Sequence, residues 1–385
     1  MKVASFGRAA AIMSVASLAL VACNGDENGA DDNGVENGAD DNGTDGADGG
    51  NGDDDASADL SGSLSGAGAS SFQLAIQEWQ IEFEAEQGVP VDYDAVGSGD
   101  GRANFLNGAV SFAGSDALMS DDEYAESQER CGEDGAFHIP TAILPIAVGF
   151  NVDGVDELNL DGETIAAIFA GEITSWDDEA IAEHNDGADL PSTPITVVHR
   201  QDSSGTTENF TDYLEQATDT WTWEADSEWP GDISAETGDG TSGVIEAALS
   251  TDGTITYADA EQAVQGGLST VALEVGGDYV PFSPEAAGQA VASSDLQGGQ
   301  AENDMGFDLA RDIDEEGAYP IVQVAYTIWC NEYSDAAEAD LAQAFAEYIV
   351  SDEAQQIAAD QAGAAPLNED LISQAQDSIS QIAGG

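Results

Sequence analysis

Residues 195–207 read Ile195-Thr196-Val197-Val198-His199-Arg200-Gln201-Asp202-Ser203-Ser204-Gly205-Thr206-Thr207. A β-branched run enters a turn of small hydroxyl residues, and Phe210, Tyr213 and Leu214 then recur at helical spacing. Strand, Ser/Gly turn and amphipathic helix, in that order, form the repeating unit of an α/β fold with mainly parallel sheets. Two more turns have the same make-up: Gly66-Ala67-Gly68-Ala69-Ser70-Ser71 and Gly97-Ser98-Gly99-Asp100-Gly101. Where such a turn opens a helix, free backbone N–H groups and a partial positive charge favour an anion. Glycine lets the backbone approach closely, and serine or threonine adds a hydroxyl donor.

The alternation extends outward in both directions. Phe72, Ile76, Trp79 and Phe83 make one helical face within 71–86, and 89–96 alternates like a strand. A short helix is expected at 102–107, a strand at 109–113 and a helix at 120–128. Residues 142–151 make a long apolar run, as in a strand buried on both faces. A helix follows at 160–169, strands at 254–257 and 321–330, and one or two helices at 336–362.

Charge narrows the function. Among 385 residues, 77 are acidic and 6 are Lys or Arg, for a net charge of -71. Lys2 and Arg8 sit at the extreme N-terminus, which leaves Arg102, Arg130, Arg200 and Arg311. Nucleic acid needs cations against its phosphates, so that partner is excluded. Only 13 of the 77 acids fall in 24–59, so the excess belongs to the folded chain as well. Such a surface repels itself unless salt screens it; at 1 M the Debye length is about 3 Å. A saline habitat is expected.

The first 23 residues have a positive end, a short apolar stretch and small residues before Cys23, the pattern of an export signal. Residues 24–59 hold Asn, Gly, Asp, Glu and Ala with almost nothing apolar, the composition of a disordered tether. In an exported chain, Cys131 and Cys330 read as a disulfide rather than a metal site, since no histidine sits at ligand spacing. Enzyme signatures are missing from the text. No lysine serves a phosphate loop, no Gly-x-Ser-x-Gly elbow occurs, and His138, His184 and His199 are scattered. No catalytic residue, metal or cofactor is expected.

The three turns, with Leu64-Ser65-Gly66-Ala67-Gly68-Ala69-Ser70, Phe112-Ala113-Gly114-Ser115-Asp116-Ala117, Ile139-Pro140 and Ile173-Thr174-Ser175-Trp176-Asp177-Asp178, resemble the PstS family. Its members are the phosphate-binding proteins of the high-affinity bacterial phosphate ABC transporter. The resemblance covers 61 to about 366. It implies a two-lobed type II periplasmic-binding-protein fold, with 60–150 plus 322–385 in lobe one and 151–321 in lobe two. It also implies phosphate ligands at Ser70, Ser71, Ser98, Asp116, Arg200, Ser204, Gly205 and Thr206, with Asp202 holding Arg200. Ser71 intervenes where the family often has phenylalanine, so its backbone rather than its side chain matches the pattern. Leu20-Val21-Ala22-Cys23 resembles a lipobox, which implies lipid on Cys23, an outer-face membrane anchor and a membrane permease as partner.

The ligand set makes physical sense by itself. Phosphate keeps a proton at neutral pH and sulfate does not, so Asp116 can accept a hydrogen bond from one and opposes the other. Arg200 offers paired planar donors. Two rivals stay open at this point: a binder of sulfate, molybdate or tungstate on the same fold, and a phosphatase-like hydrolase.

Overall fold

The computed structural model describes residues 60–297 and 300–385. Cys23, the export signal and the acidic segment 24–59 lie outside the described residues. The chain opens with β1 (Leu64–Gly68), α1 (Gln73–Gln87), β2 (Val91–Asp94), α2 (Ser98–Leu106) and β3 (Phe112–Ser115). β1 pairs in parallel with both β2 and β3. In α1 the predicted stripe of Ile76, Trp79 and Phe83 is buried, while Ile81 on the other face is exposed. Ala109, expected to start a strand, instead donates its N–H to Asn104 and closes the end of α2.

After α3 (Asp121–Cys131) comes β4 (Ala136–Asn151), the longest strand. It begins six residues before the predicted start and is buried along nearly all its length. Then follow β5 (Leu158–Leu160), α4 (Gly162–Phe169), α5 (Glu179–Glu183), β6 (Thr196–Arg200), α6 (Gly205–Ala217), β7 (Glu236–Gly238), α7 (Gly240–Leu249), β8 (Thr254–Asp259), α8 (Ala260–Gly266), β9 (Ser269–Val275) and β10 (Asp278–Val280). α9 (Pro284–Ala292) and a small ribbon of β11 (Asp295–Leu296) and β12 (Phe307–Asp308) precede β13 (Val322–Cys330). β14 (Glu332–Tyr333), α10 (Ala336–Ile349), α11 (Asp352–Ala362), α12 (Glu369–Ile379) and β15 (Ala383–Gly384) finish the chain.

The main sheet runs β2-β1-β3-β13-β4-β8-β6-β7. Its two ends are parallel, as strand–helix–strand units require. Antiparallel β13 and β4 join them. Along β4 the partner changes: up to Pro145 it is β13, and from Ile146 it is β8. One core gathers Phe72, Trp79, Phe112, Trp329 and Phe345 around the first end. A second gathers Phe150, Phe169, Trp176, Phe210 and Tyr257 around the other. Ala287, Ala290 and Val291 of α9 pack with Val322 and Val324, so this packing crosses the expected 321/322 boundary. Cys131 and Cys330 are disulfide-bonded, joining the end of α3 to the end of β13.

Among the described residues the arginines are drawn inward. Arg102, Arg200 and Arg311 are buried, and Arg130 lies 4.4 Å from the centre of the Phe105 ring. The cations are spent on internal structure, which leaves the surface to carboxylates.

Candidate functional site

Asp116, just past β3, is where the turns meet. Its Oδ1 accepts the Ser71 hydroxyl at 2.6 Å, and its Oδ2 accepts the Thr206 hydroxyl at 3.4 Å. Its N–H donates to Ser98 Oγ at 3.1 Å, and its carbonyl accepts from Asn209 Nδ2 at 2.7 Å. The residue is 4% exposed. Burial pushes its carboxyl up to about 6, against the lowering pull of the Ser71 hydroxyl, the Arg200 charge, the Thr206 hydroxyl and Arg102. A carboxylate so placed is an acceptor with few competitors, poised between its two protonation states near neutrality.

Each turn sits at the carboxyl end of a strand, where open α/β sheets bind ligands. The first leaves β1 at Gly68, whose added Cβ would lie 1.9 Å from the Gly114 carbonyl oxygen. Only glycine lets β1 and β3 approach so closely. Phe72 then anchors the turn by packing against Trp79 and Tyr93. The second turn places Gly97 at φ +96°, with its Cβ position 2.5 Å from Asp202 Oδ2. Here both the positive φ and the approach of the opposite half require glycine. Gly99 donates its N–H across to the Ser203 carbonyl at 3.2 Å.

In the third turn Ser204 caps α6, its Oγ accepting the Thr207 N–H at 3.2 Å. A Cβ on Gly205 would lie 2.7 Å from Ser98 Oγ and 2.8 Å from Asp116 Cβ, so the start of α6 presses against the first half. The N–H groups of Ser70, Ser71, Ser98, Gly205 and Thr206 have no protein acceptor among the described residues. Five backbone donors from three segments are therefore available beside one buried acid.

Arg200 ends β6 and is 4% exposed. Its Nε donates to Asp202 Oδ1 at 2.8 Å and its Nη2 donates to Oδ2. Asp202 Oδ1 also accepts the Gly240 N–H at 3.0 Å. Burial alone would raise the Asp202 carboxyl, but the hydrogen bond and charge of Arg200 outweigh it and hold the group low. The guanidinium is thus fixed by its own turn. Arg102 donates to Ser115 Oγ at 2.9 Å and to Glu123 Oε1 at 2.9 Å, bracing the strand end beside Asp116.

Of the sequence-predicted residues, Ser71, Ser98, Gly205 and Thr206 gather directly on Asp116. Ser70 Oγ is instead engaged across the site by Thr241, accepting its N–H at 3.2 Å and lying 3.0 Å from its hydroxyl. Ser204 acts on its own helix. Cys131 and Cys330 belong to the first core. Thr241 was missed, although Gly238-Asp239-Gly240-Thr241-Ser242-Gly243 is a fourth turn of the same make-up at the start of α7. Gln262 was missed too: its Nε2 donates to the Ser70 and Ser71 carbonyls at 3.0 and 2.6 Å. No group of three or more His, Cys, Asp or Glu among the described residues is arranged to hold a metal. No described helix is long and apolar enough to cross a membrane.

Residues 53–353 match the model of the PBP superfamily domain. The chain is 33% identical over 399 residues to phosphate-binding protein PstS 2 of Mycobacterium tuberculosis, with all of both chains covered. It is 33% identical over 395 residues to PstS3 of Mycobacterium bovis, again over the whole of both. Among solved structures, a high-affinity periplasmic phosphate-binding protein (PfluDING) with bound phosphate superposes with a TM-score of 0.67 at 22% identity, covering 82% of this chain and 93% of that one. The phosphate-binding protein of Stenotrophomonas maltophilia gives 0.62 at 20% identity, covering 82% and 94%. At such identities the structural likeness establishes the periplasmic-binding-protein fold, and the full-length kinship of sequence goes further: the chain belongs to the PstS family of phosphate-binding proteins within the PBP superfamily.

Proposed function

We propose that this protein is an extracytoplasmic receptor that captures inorganic phosphate and delivers it to a membrane-embedded ABC permease, with no catalytic step of its own. The observation that carries the reading is Asp116, a buried acid set among unpaired amides and near Arg200. An acid facing an anion makes sense when the anion brings a proton. The phosphate O–H donates to Asp116, while the amides of Ser70, Ser71, Ser98, Gly205 and Thr206 and the Arg200 guanidinium hold the other oxygens. Sulfate, molybdate or tungstate brings no proton, and leaving an acceptor or charge unpaired in a buried site costs on the order of 1–3 kcal/mol or more. That weighs against the other oxyanions. The absence of any activated nucleophile from the proposed ligand set weighs against a hydrolase.

In this reading 60–150 plus 322–385 and 151–321 act as lobes that close over the anion. Lipid on Cys23 and the tether 24–59 keep the receptor at the outer face of the cytoplasmic membrane. The description of PfluDING as periplasmic supports the placement outside the cytoplasm. A salty medium suits the protein, because long-range repulsion of the anion by a chain of charge -71 disappears there. Calorimetric titration in molar KCl tests the proposal. Phosphate is expected to bind, and Arg200→Ala to weaken it by roughly 100-fold or more while the far-UV dichroism is unchanged. Tighter sulfate binding, or hydrolysis of a phosphate monoester, overturns it.

A further inference from the structure

The first turn is steered from the opposite half of the molecule. Gln262 sits in the first turn of α8, beyond the strand β8 that belongs to the far end of the sheet. Its backbone N–H is held by Asp259 Oδ1 at 3.0 Å, and its side-chain amide reaches 191 and 192 positions back along the chain. The two hydrogens of one NH₂ group serve two successive carbonyls, Ser70 at 3.0 Å and Ser71 at 2.6 Å. In a trans peptide the C=O and the following N–H point in opposite directions. Fixing those two carbonyls on Gln262 therefore turns the Ser71 and Phe72 N–H groups away from it. Neither N–H has a protein acceptor among the described residues.

Asp259 makes this support rigid. It is fully buried, and its Oδ2 has no partner among the described residues. Burial keeps its carboxyl well above the usual range, with the Asp116 charge adding to the shift. The start of α8 is thus capped by a side chain that solvent does not reach. Thr241 bonds Ser70 Oγ from the same half, so two residues grip one turn from across the site.

We infer that Gln262 is a positioning residue for anion capture: it orients the Ser71 and Phe72 amides of the first turn and latches the two halves in the closed arrangement. This rests on the phosphate reading above and deepens it. Gln262 does not touch the ligand in this account, so its loss weakens every bound oxyanion alike and leaves discrimination intact.

The test uses Gln262→Met, which keeps length and packing, and Gln262→Glu, which replaces the donor by a titratable acceptor. Titration and stopped-flow dissociation with inorganic phosphate are run on the full chain at pH 8 and pH 5. Gln262→Met is expected to weaken phosphate by roughly 10- to 100-fold at both pH values, mainly through faster dissociation, with the phosphate-to-sulfate ratio unchanged. Measured against the parent at the same pH, Gln262→Glu is expected to be weaker still at pH 8 and to lose part of that deficit at pH 5, where more of the introduced carboxyl is protonated and can donate to one of the two carbonyls. Affinities within twofold of the parent at the same pH, or a Gln262→Glu deficit that does not shrink between pH 8 and pH 5, overturn the inference. If the parent itself ignores phosphate, the phosphate reading fails. The latch is then read by solution scattering of the ligand-free proteins: a larger radius of gyration for Gln262→Met supports it, and an equal one overturns it.

Discussion

The Ser71 hydroxyl donates a 2.6 Å hydrogen bond to Asp116 Oδ1, joining two buried residues 45 positions apart. The bond helps to hold the Asp116 carboxyl down to about 6 against the upward push of burial. Removing it in Ser71→Ala lets the carboxyl rise further, so more of it is protonated at pH 7 and less is free to accept a phosphate proton. Phosphate affinity in the variant is expected to fall by roughly 5- to 30-fold at pH 7. Most of the loss returns by pH 8.5, where the acid ionises again. Calorimetry at the two pH values checks this, and an equal loss at both speaks against it.

Glu208 gives a pH effect on stability separate from the proposed ligands. Burial raises its carboxyl to about 7, partly relieved by Arg102 and reinforced by Asp226, Asp212 and Glu123. Among the described residues no hydrogen bond to its carboxylate offsets the burial. An acid with a raised folded-state pKa costs nothing below its ordinary value of 4.5, where it is neutral folded or unfolded. As pH rises from there to about 7 the unfolded chain ionises first, and stability falls. Glu208→Gln should therefore stabilise the protein by on the order of 2 kcal/mol at pH 8 and by almost nothing at pH 4. Denaturant melts at both values decide it, and a pH-independent difference contradicts it.

Salt should matter more than for an ordinary domain. The arginines are turned inward while the acids cover the exterior, so carboxylate repulsion goes unanswered at low ionic strength. Raising KCl from 0.1 to 2 M is expected to lift the melting temperature by about 10 °C or more. A flat response would mean that the surface charge is not under strain.

Features whose chemistry is local in sequence were legible. Each Gly/Ser turn carries its own glycine, hydroxyl and helix start, and Arg200 lies two residues from the Asp202 that holds it. Features made by distant contacts were not. Thr241 meets Ser70 across 171 positions, and neither that pairing nor the reach of Gln262 leaves a mark in local spacing. The start of β4 was hidden for another reason. Pro140 looks like a strand breaker because, like Pro145 inside the predicted strand, it donates no N–H. In the fold Pro140 stands at the register shift between Ala325 and Tyr326, and Pro145 stands where β4 passes from β13 to β8. Both occupy places where the ladder is already interrupted.

The most direct test concerns the proton. Titrating the protein and its Asp116→Asn variant with phosphate and with sulfate, at pH 7.5 in molar KCl, measures whether Asp116 reads it. The account predicts a phosphate preference of roughly 100-fold or more in the parent, shrinking at least about tenfold in the variant as sulfate gains and phosphate loses. A ratio that is the same in both proteins contradicts the account.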